Sequence, residues 1–325
     1  MAVLQKKISY VDEPSPGKKW LDFYQHVKPD YRNWFLKKST YHSPSLEESK
    51  VAFQEYMPKL YPMWIQLCDL IQADEVMAHL LTLYCPPRYV HGCSQAIWSR
   101  DVSVLVRNYD YSPKLFEGRI LKSKWFDTEV IAVTDSLWGV LDGMNEHGLC
   151  VSLTFGGSDV EGKGFGVPLV LRYILEFCKT TDDAIQILKS VPINATYNVT
   201  LLDALNEIAT LELSPISPPK VTFKPFAVNH QGDFNLSNYA LFSNSYEREK
   251  VLLERLYDPL MTVESFIESF EYAPLYSNNY AQHFGTLYSA IYNPYLKAME
   301  FRWPYQKVYQ SFELFVEQDM IIYYG

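Results

Sequence analysis

Gly92-Cys93, at the head of His91-Gly92-Cys93-Ser94-Gln95, is the arrangement in this chain that chemistry can use most directly. A thiol there can attack the carbonyl of the residue before it. Glycine leaves that carbonyl uncrowded and accepts strained backbone angles. A cut at this bond would make Cys93 a new N-terminus, whose α-amine has a pKa of about 8, close to that of a thiol, so that one can deprotonate the other near neutrality. Seventeen residues beyond the cysteine is Asp110, in the run Arg107-Asn108-Tyr109-Asp110-Tyr111, which places two charges at the end of an apolar strand-like segment. At a period of two, residues 107, 109 and 111 point one way and 108 and 110 the other, so the pair does not read as a simple exposed ion pair. A guanidinium near the thiol favours the thiolate and can fix a substrate carboxylate or carbonyl, and a carboxylate can orient the terminal ammonium. A structural Arg–Asp pair across a strand end is the alternative.

With Asp142-Gly143-Met144-Asn145-Glu146-His147-Gly148-Leu149 further on, these segments resemble N-terminal-nucleophile hydrolases. The closest branch is that of the acyl-coenzyme A:6-aminopenicillanic acid acyltransferases. Choloylglycine hydrolases, penicillin V acylases and acid ceramidase-like amidases are related branches. The resemblance spans roughly residues 88 to 303. It implies an αββα sandwich, self-processing before the cysteine, and cleavage or transfer at a linear amide through a thioester. By the same resemblance Cys93 is the nucleophile, Gly92 and Cys93 flank the autocleavage point, and Arg107 and Asp110 hold the substrate and the new amine. Asn229, in Val228-Asn229-His230, matches an asparagine that donates to the oxyanion, and Arg248 matches an arginine on the helix that follows. Asn229 as a turn residue, and Arg248 as an ordinary solvated helix arginine, are the plainer readings of the same positions. Thr154 and Phe155 align near the second oxyanion contact of the bile-salt hydrolases, where an asparagine stands in those enzymes. With Tyr109 they are expected to line the substrate site.

Other chemistries find less support. His91, His147 and His230 lie near these motifs, so a Cys–His dyad without self-cleavage is a second reading, and a catalytically silent binding protein on the same fold is a third. No H-E-x-x-H, P-loop or G-x-G-x-x-G run is present, so no metal or nucleotide cofactor is expected. Coenzyme A would enter only as the acyl donor of a transferase. The five cysteines, at 68, 85, 93, 150 and 178, form no C-x-x-C spacing, which argues against a disulfide framework or zinc site. Cys68, Cys150 and Cys178 sit in apolar periodic runs and read as buried, inert thiols.

The elements that must position these residues follow from periodicity. Residues 18–83 repeat apolar side chains at three- and four-residue intervals and read as helices, and Ser45 with Glu48 has capping-box spacing. Cys85-Pro86-Pro87 ends that portion. Beyond residue 88 the period becomes two, with strands expected at 102–111, 130–134, 139–145 and 149–155. Gly148 is expected to turn with a positive φ. Helices at 166–178 and 181–190 come next, followed by strands at 198–204, 207–213 and 222–228. Helices at 245–257 and 263–270 precede closing strands at 286–292, 298–303 and 311–316. This clustering fits an α+β layer architecture, two antiparallel sheets with helices outside, better than a doubly wound parallel sheet.

Residues 1–92 then form a helical leader, the small chain after self-cleavage, and 93–325 the catalytic domain. The expected assembly is this self-derived two-chain heterodimer, alone or in a higher homo-oligomer. A net charge of −9 lacks the clustered basic face that nucleic acid needs. No stretch approaches the roughly 18 apolar residues of a membrane span. Without a secretory segment behind Lys6 and Lys7, the expected setting is cytoplasmic. The aromatic content, 25 Tyr, 18 Phe and 7 Trp, suits core packing first and an apolar pocket for a small-molecule amide second.

Overall fold

The computed structural model describes residues 4–37, 44–87, 92–232 and 238–324. In chain order the elements are β1 (Leu4–Asp12), α1 (Lys18–Leu36), α2 (Leu46–Tyr56), α3 (Tyr61–Ile71) and α4 (Glu75–Thr82), then β2 (Gly92–Ser99), β3 (Ser103–Tyr111), β4 (Arg119–Ser123), β5 (Val130–Asp135), β6 (Gly139–Asn145) and β7 (Cys150–Phe155). There follow α5 (Val167–Phe177), α6 (Thr181–Ser190), β8 (Tyr197–Leu202), β9 (Ile208–Ser214), β10 (Ser217–Thr222) and β11 (Phe226–Ala227). The chain then forms α7 (Asn238–Phe242), α8 (Ser245–Tyr257), α9 (Val263–Ser269), β12 (Asn278–Asn279), β13 (Phe284–Asn293), β14 (Ala298–Trp303), β15 (Gln306–Ser311) and β16 (Gln318–Tyr324).

Two sheets result. The larger runs β10-β9-β8-β7-β6-β5-β4-β1-β16, and the smaller β11-β2-β3-β13-β14-β15, with β12 paired to β13. Strands β5 to β8 are buried at every position, because one face meets the other sheet while α5 and α6 cover the opposite face. Helices α8 and α9 cover the outer face of the smaller sheet, where Leu252, Phe266 and Phe270 pack on Ala96, Trp98, Val104 and Val106. Helices therefore lie on both outer faces of a two-sheet core, the expected αββα sandwich. Among the described residues no helix is long and apolar enough to cross a membrane.

The described residues before β2 are not purely helical. Their first strand, β1, lies between β16, antiparallel, and β4, parallel, so it belongs to the body of the larger sheet. Ile8 and Tyr10 are buried on one face of β1, whereas Gln5 and Lys7 on the other face are exposed. The short strand β4, which reads as a basic run, pairs with β1 and β5 and buries four of its five residues. The closing strands differ too. Gln306–Ser311 pairs with β14 in the smaller sheet and Gln318–Tyr324 with β1 in the larger one, while residues 312–317 connect them. Local signals hold up better. Ser45 and Glu48 form a reciprocal capping box, Gly148 has φ +85°, and α8 and β14 span the expected residues. Thr180 closes the N-terminus of α6 in a capping box with Asp183. Cys150 and Cys178 are buried, but Cys68 is only partly so.

Candidate active site

Strands β2 and β3 pair antiparallel with Gly92 opposite Asp110, Cys93 opposite Tyr109, and Gln95 opposite Arg107. The period of two then divides their chemistry between faces. Cys93, Ile97, Leu105 and Tyr109 belong to the core between the sheets, whereas Ala96, Trp98, Val104 and Val106 face the outer helices. Arg107 shares the inner face with the thiol, and Asp110 takes the outer one, as the spacing predicts. Gly92 is required by space rather than by backbone strain. It lies outside the left-handed region, and a Cβ there would sit 2.1 Å from Cζ of Phe284.

The Cys93 side chain is fully buried. Burial pushes its pKa up to about 12, opposed by the Arg107 charge and reinforced by that of Asp110. Nη2 of Arg107 donates to Sγ at 2.9 Å. The same guanidinium uses Nη1 on Oδ1 of Asp142 at 2.6 Å and on the Leu141 carbonyl at 3.1 Å. Asp142 also accepts the hydroxyls of Tyr288 and Tyr292, each at 2.5 Å. Burial works against the Arg107 charge, but Asp142 heads the groups that outweigh it and hold the guanidinium pKa well above its usual value. A buried ion pair with both oxygens saturated thus aims one fixed nitrogen at the thiol.

Asp110 does not pair with Arg107. Its Oδ2 accepts Nη1 of Arg248 at 2.5 Å, and its Oδ1 accepts the hydroxyl of Thr286 at 2.6 Å. Arg248 rises from the first turn of α8 and is buried. It also reaches the Pro274 carbonyl at 2.8 Å and Oγ of Ser94 at 3.3 Å. The acidic partner of Arg248 thus comes from β3 rather than from its own helix.

Asn229 brackets the main chain of Cys93. The Cys93 N–H donates to its Oδ1 at 3.0 Å, and its Nδ2 donates to the Cys93 carbonyl at 3.0 Å. The side chain therefore continues the ladder where β11 ends, two residues before Asn229. Thr154 donates its hydroxyl to the Val228 carbonyl at 2.9 Å. Asn198 donates to Val228 and His230 carbonyls at 2.8 and 3.1 Å, on either side of Asn229. These two residues hold the segment that carries Asn229. We expect Asn229→Ala to lower kcat/KM by about 100- to 1,000-fold and, by leaving two buried main-chain groups unpaired, to cost about 1–3 kcal/mol in denaturant unfolding. Near-normal turnover would remove Asn229 from the chemistry.

Tyr109 is buried opposite Cys93, with its ring 5.2 Å from the Arg107 guanidinium. Phe155 stands at the end of β7, its ring centre 4.9 Å from that of Tyr239. His230 faces away from a dyad role. Its Nδ1 is 2.8 Å from Oγ of Ser245 and its Nε2 2.9 Å from Glu249. His147 lies in the β6–β7 turn, where its N–H donates to Asn145, and His91 lies outside the described residues. Asp142, Asn198, Thr286, Tyr288 and Tyr292 are functional neighbours that the motif spacing does not single out. The Arg107 charge, unmatched on its own face of β3, is the one signal pointing to an acidic partner elsewhere.

A cleft of about 1040 Å³ lies between α1, β1 and the segment after β3, and its lining includes Tyr111 and Phe116. Phe116 packs against Tyr109 at 5.7 Å between ring centres, so one aromatic layer separates the cleft from the strand pair carrying the thiol.

No curated protein matches the chain. Among solved structures, it is similar to penicillin V acylase from Agrobacterium tumefaciens at 12% identity over 68% of this chain and 86% of that one, with a TM-score of 0.45. A Caenorhabditis elegans N-acylethanolamine-hydrolyzing acid amidase ortholog is 16% identical over 63% of this chain and 94% of that one, with a TM-score of 0.46. A variant of the conjugated bile acid hydrolase from Clostridium perfringens is 12% identical over 72% and 97%, with a TM-score of 0.44. Likenesses at this level carry no argument about chemistry. The family model for acyl-coenzyme A:6-aminopenicillanic acid acyl-transferase, however, matches residues 98–307, more than half of the chain. That span takes in Arg107, Asp110, Asp142, Asn229 and Arg248, and begins after Gly92 and Cys93. The chain belongs to the acyl-coenzyme A:6-aminopenicillanic acid acyl-transferase family.

Proposed function

We propose that the chain is a self-processing cysteine amidohydrolase or acyltransferase, acting on linear amide bonds through a thioester on Cys93. The observation that carries this reading is the convergence on one buried cysteine of Arg107 at its sulfur and Asn229 at its N–H and carbonyl. Self-cleavage begins when Sγ attacks the Gly92 carbonyl carbon. The C–N bond then breaks, and the nitrogen of Cys93 takes up the proton the thiol gave away. The product is a Gly92 thioester on Sγ, and water cleaves it to a carboxylate and a free thiol. Before the cut the buried thiol is held protonated. The freed α-amine then supplies a base beside it.

In turnover, the amide carbonyl of the substrate takes the place of Gly92. Arg107 favours the thiolate, Asn229 donates to the oxyanion through Nδ2, and Asp110, backed by Arg248, orients the amine. Water completes hydrolysis, and an amine acceptor completes transfer. Coenzyme A thioesters would serve as acyl donors only in the second case.

The leader supports a two-chain product. β1 is paired along Leu4–Tyr10 with β16 and along Ser9–Asp12 with β4, and Trp20 is fully buried with its indole N–H on the Leu137 carbonyl at 3.0 Å. Intact-mass spectrometry of purified protein tests the reading. Two pieces, one ending at Gly92 and one starting at Cys93, should co-elute under native conditions and separate only on denaturation. A single 37.8 kDa species that hydrolyses penicillin V, N-acyl amino acids or fatty-acid amides would overturn the self-processing, and pieces that part without denaturant would overturn the retained leader.

A further inference from the structure

Tyr239, on the short helix α7, carries a buried hydroxyl with no hydrogen-bond partner among the described residues. A phenol buried in this state forfeits its hydration without recovering a bond, at a cost of about 1–3 kcal/mol, so its surroundings bear on what it is for. Its ring lies 4.9 Å from Phe155, the last residue of β7 in the larger sheet, and 6.5 Å from Phe284, the first of β13 in the smaller one. Phe284 is the ring that presses on Gly92. Tyr239 therefore stands across the mouth of the sandwich, at the end where β2 begins.

The charges it feels agree with that placement. After burial, Cys93 and Asp110 contribute most to holding the phenol protonated, with Arg248 opposing them. Cys93 is on the inner face of the strand pair and Asp110 with Arg248 on the outer one. Phe284, which packs on Tyr239 and presses on Gly92, links the phenol to the start of β2. Of the other side-chain donors nearby, Nε of Arg107 also lacks a partner, but it belongs to a guanidinium already fixed by its other two nitrogens. Thr154 donates to Val228, Arg107 to Sγ and Asp142, and Arg248 to Asp110 and Pro274.

We propose that the Tyr239 hydroxyl donates a hydrogen bond to the Gly92 carbonyl oxygen as Cys93 attacks it, making Tyr239 a catalytic residue of self-cleavage. This rests on the self-processing reading above and adds the donor that the oxyanion requires. As the carbonyl carbon becomes tetrahedral, negative charge grows on the oxygen, and a preplaced neutral donor in a water-poor site stabilises it. The hydroxyl keeps its proton throughout, because the thiol's proton goes to the departing Cys93 nitrogen.

Full-length wild type, Tyr239→Phe and Cys93→Ala are made by cell-free translation, and the 92/93 cut is followed by intact mass at timed intervals. Removing the hydroxyl should slow the cut about 100-fold, while Tyr239→Phe introduced into the uncut Cys93→Ala chain leaves its denaturant midpoint equal to or above that of Cys93→Ala alone. A structural hydroxyl would show the opposite pattern, an unchanged rate or a lowered midpoint, and either result overturns the role of Tyr239. If wild type stays whole, or Cys93→Ala is cut, the self-processing reading itself fails and this inference with it. A normal rate in Tyr239→Phe, with wild type cut and Cys93→Ala whole, removes Tyr239 alone.

Discussion

Replacing Cys93 by alanine should abolish both the cut at 92/93 and amide turnover, with kcat falling at least about 10⁴-fold, as expected when a covalent nucleophile is removed. The fold should persist. Cys93 contributes one small side chain to the core, and Arg107 keeps Asp142 and the Leu141 carbonyl when its contact to Sγ is lost. The exchange should therefore cost about 1 kcal/mol, a typical value for a single substitution. Cys93→Ser is a sharper probe of the same point, because it keeps a hydroxyl in reach of Arg107 but offers a far weaker nucleophile. Intact mass reads the cut, acid-quenched assays on the amide panel read turnover, and denaturant unfolding reads the fold. Full activity in Cys93→Ala would end the proposal.

The largest effect on stability is expected at Asp142, not at Cys93. Its carboxylate and the Arg107 guanidinium are both wholly excluded from solvent, and two tyrosine hydroxyls complete its coordination. Asp142→Leu leaves the Arg107 charge buried without a counter-ion, which costs about 3–5 kcal/mol. Asp142→Asn keeps an acceptor and the volume while removing the charge, so it should fall between the two. Because Asp142 also fixes the guanidinium that reaches Sγ, Asp142→Asn should lower the rate of the 92/93 cut as well. Urea unfolding of Cys93→Ala chains with and without each substitution measures the stability cost without interference from cleavage. A cost below about 1 kcal/mol for Asp142→Leu would mean the pair does not hold the strands together.

Much of this arrangement is legible along the chain, because its parts are local. The alternation of Arg107 and Asp110 across a strand follows from the pleat alone, and the faces observed are those it dictates. The capping box at Ser45, the turn at Gly148 and the span of α8 are likewise set by neighbours within a few residues. The leader strand β1 was hidden because its partners, β4 and β16, lie more than a hundred residues away on the chain, and pairing at that distance leaves no local periodicity to compare. β4 was hidden for a related reason. Its lysine and arginine suggest a solvated run, yet Arg119 is buried and paired with Glu13, the residue after β1. Thr154 shows the same limit within the site. Its neighbourhood in sequence suggests an oxyanion donor, while its hydroxyl is engaged on the carbonyl of Val228.

By itself the order of residues determined which side chain could be the nucleophile, that Arg107 and Asp110 lie on opposite faces, and that helices must sandwich two sheets. Those are matters of residue chemistry and of periods two and 3.6, which act over a few positions. Only the tertiary structure decided which opposite charge each buried ion takes, Asp142 for Arg107 and Arg248 for Asp110, and that Asn229 brackets the main chain of Cys93. A buried charge must find its counter-ion wherever folding brings one, and in this protein those partners arrive from strands and helices tens to more than a hundred residues away.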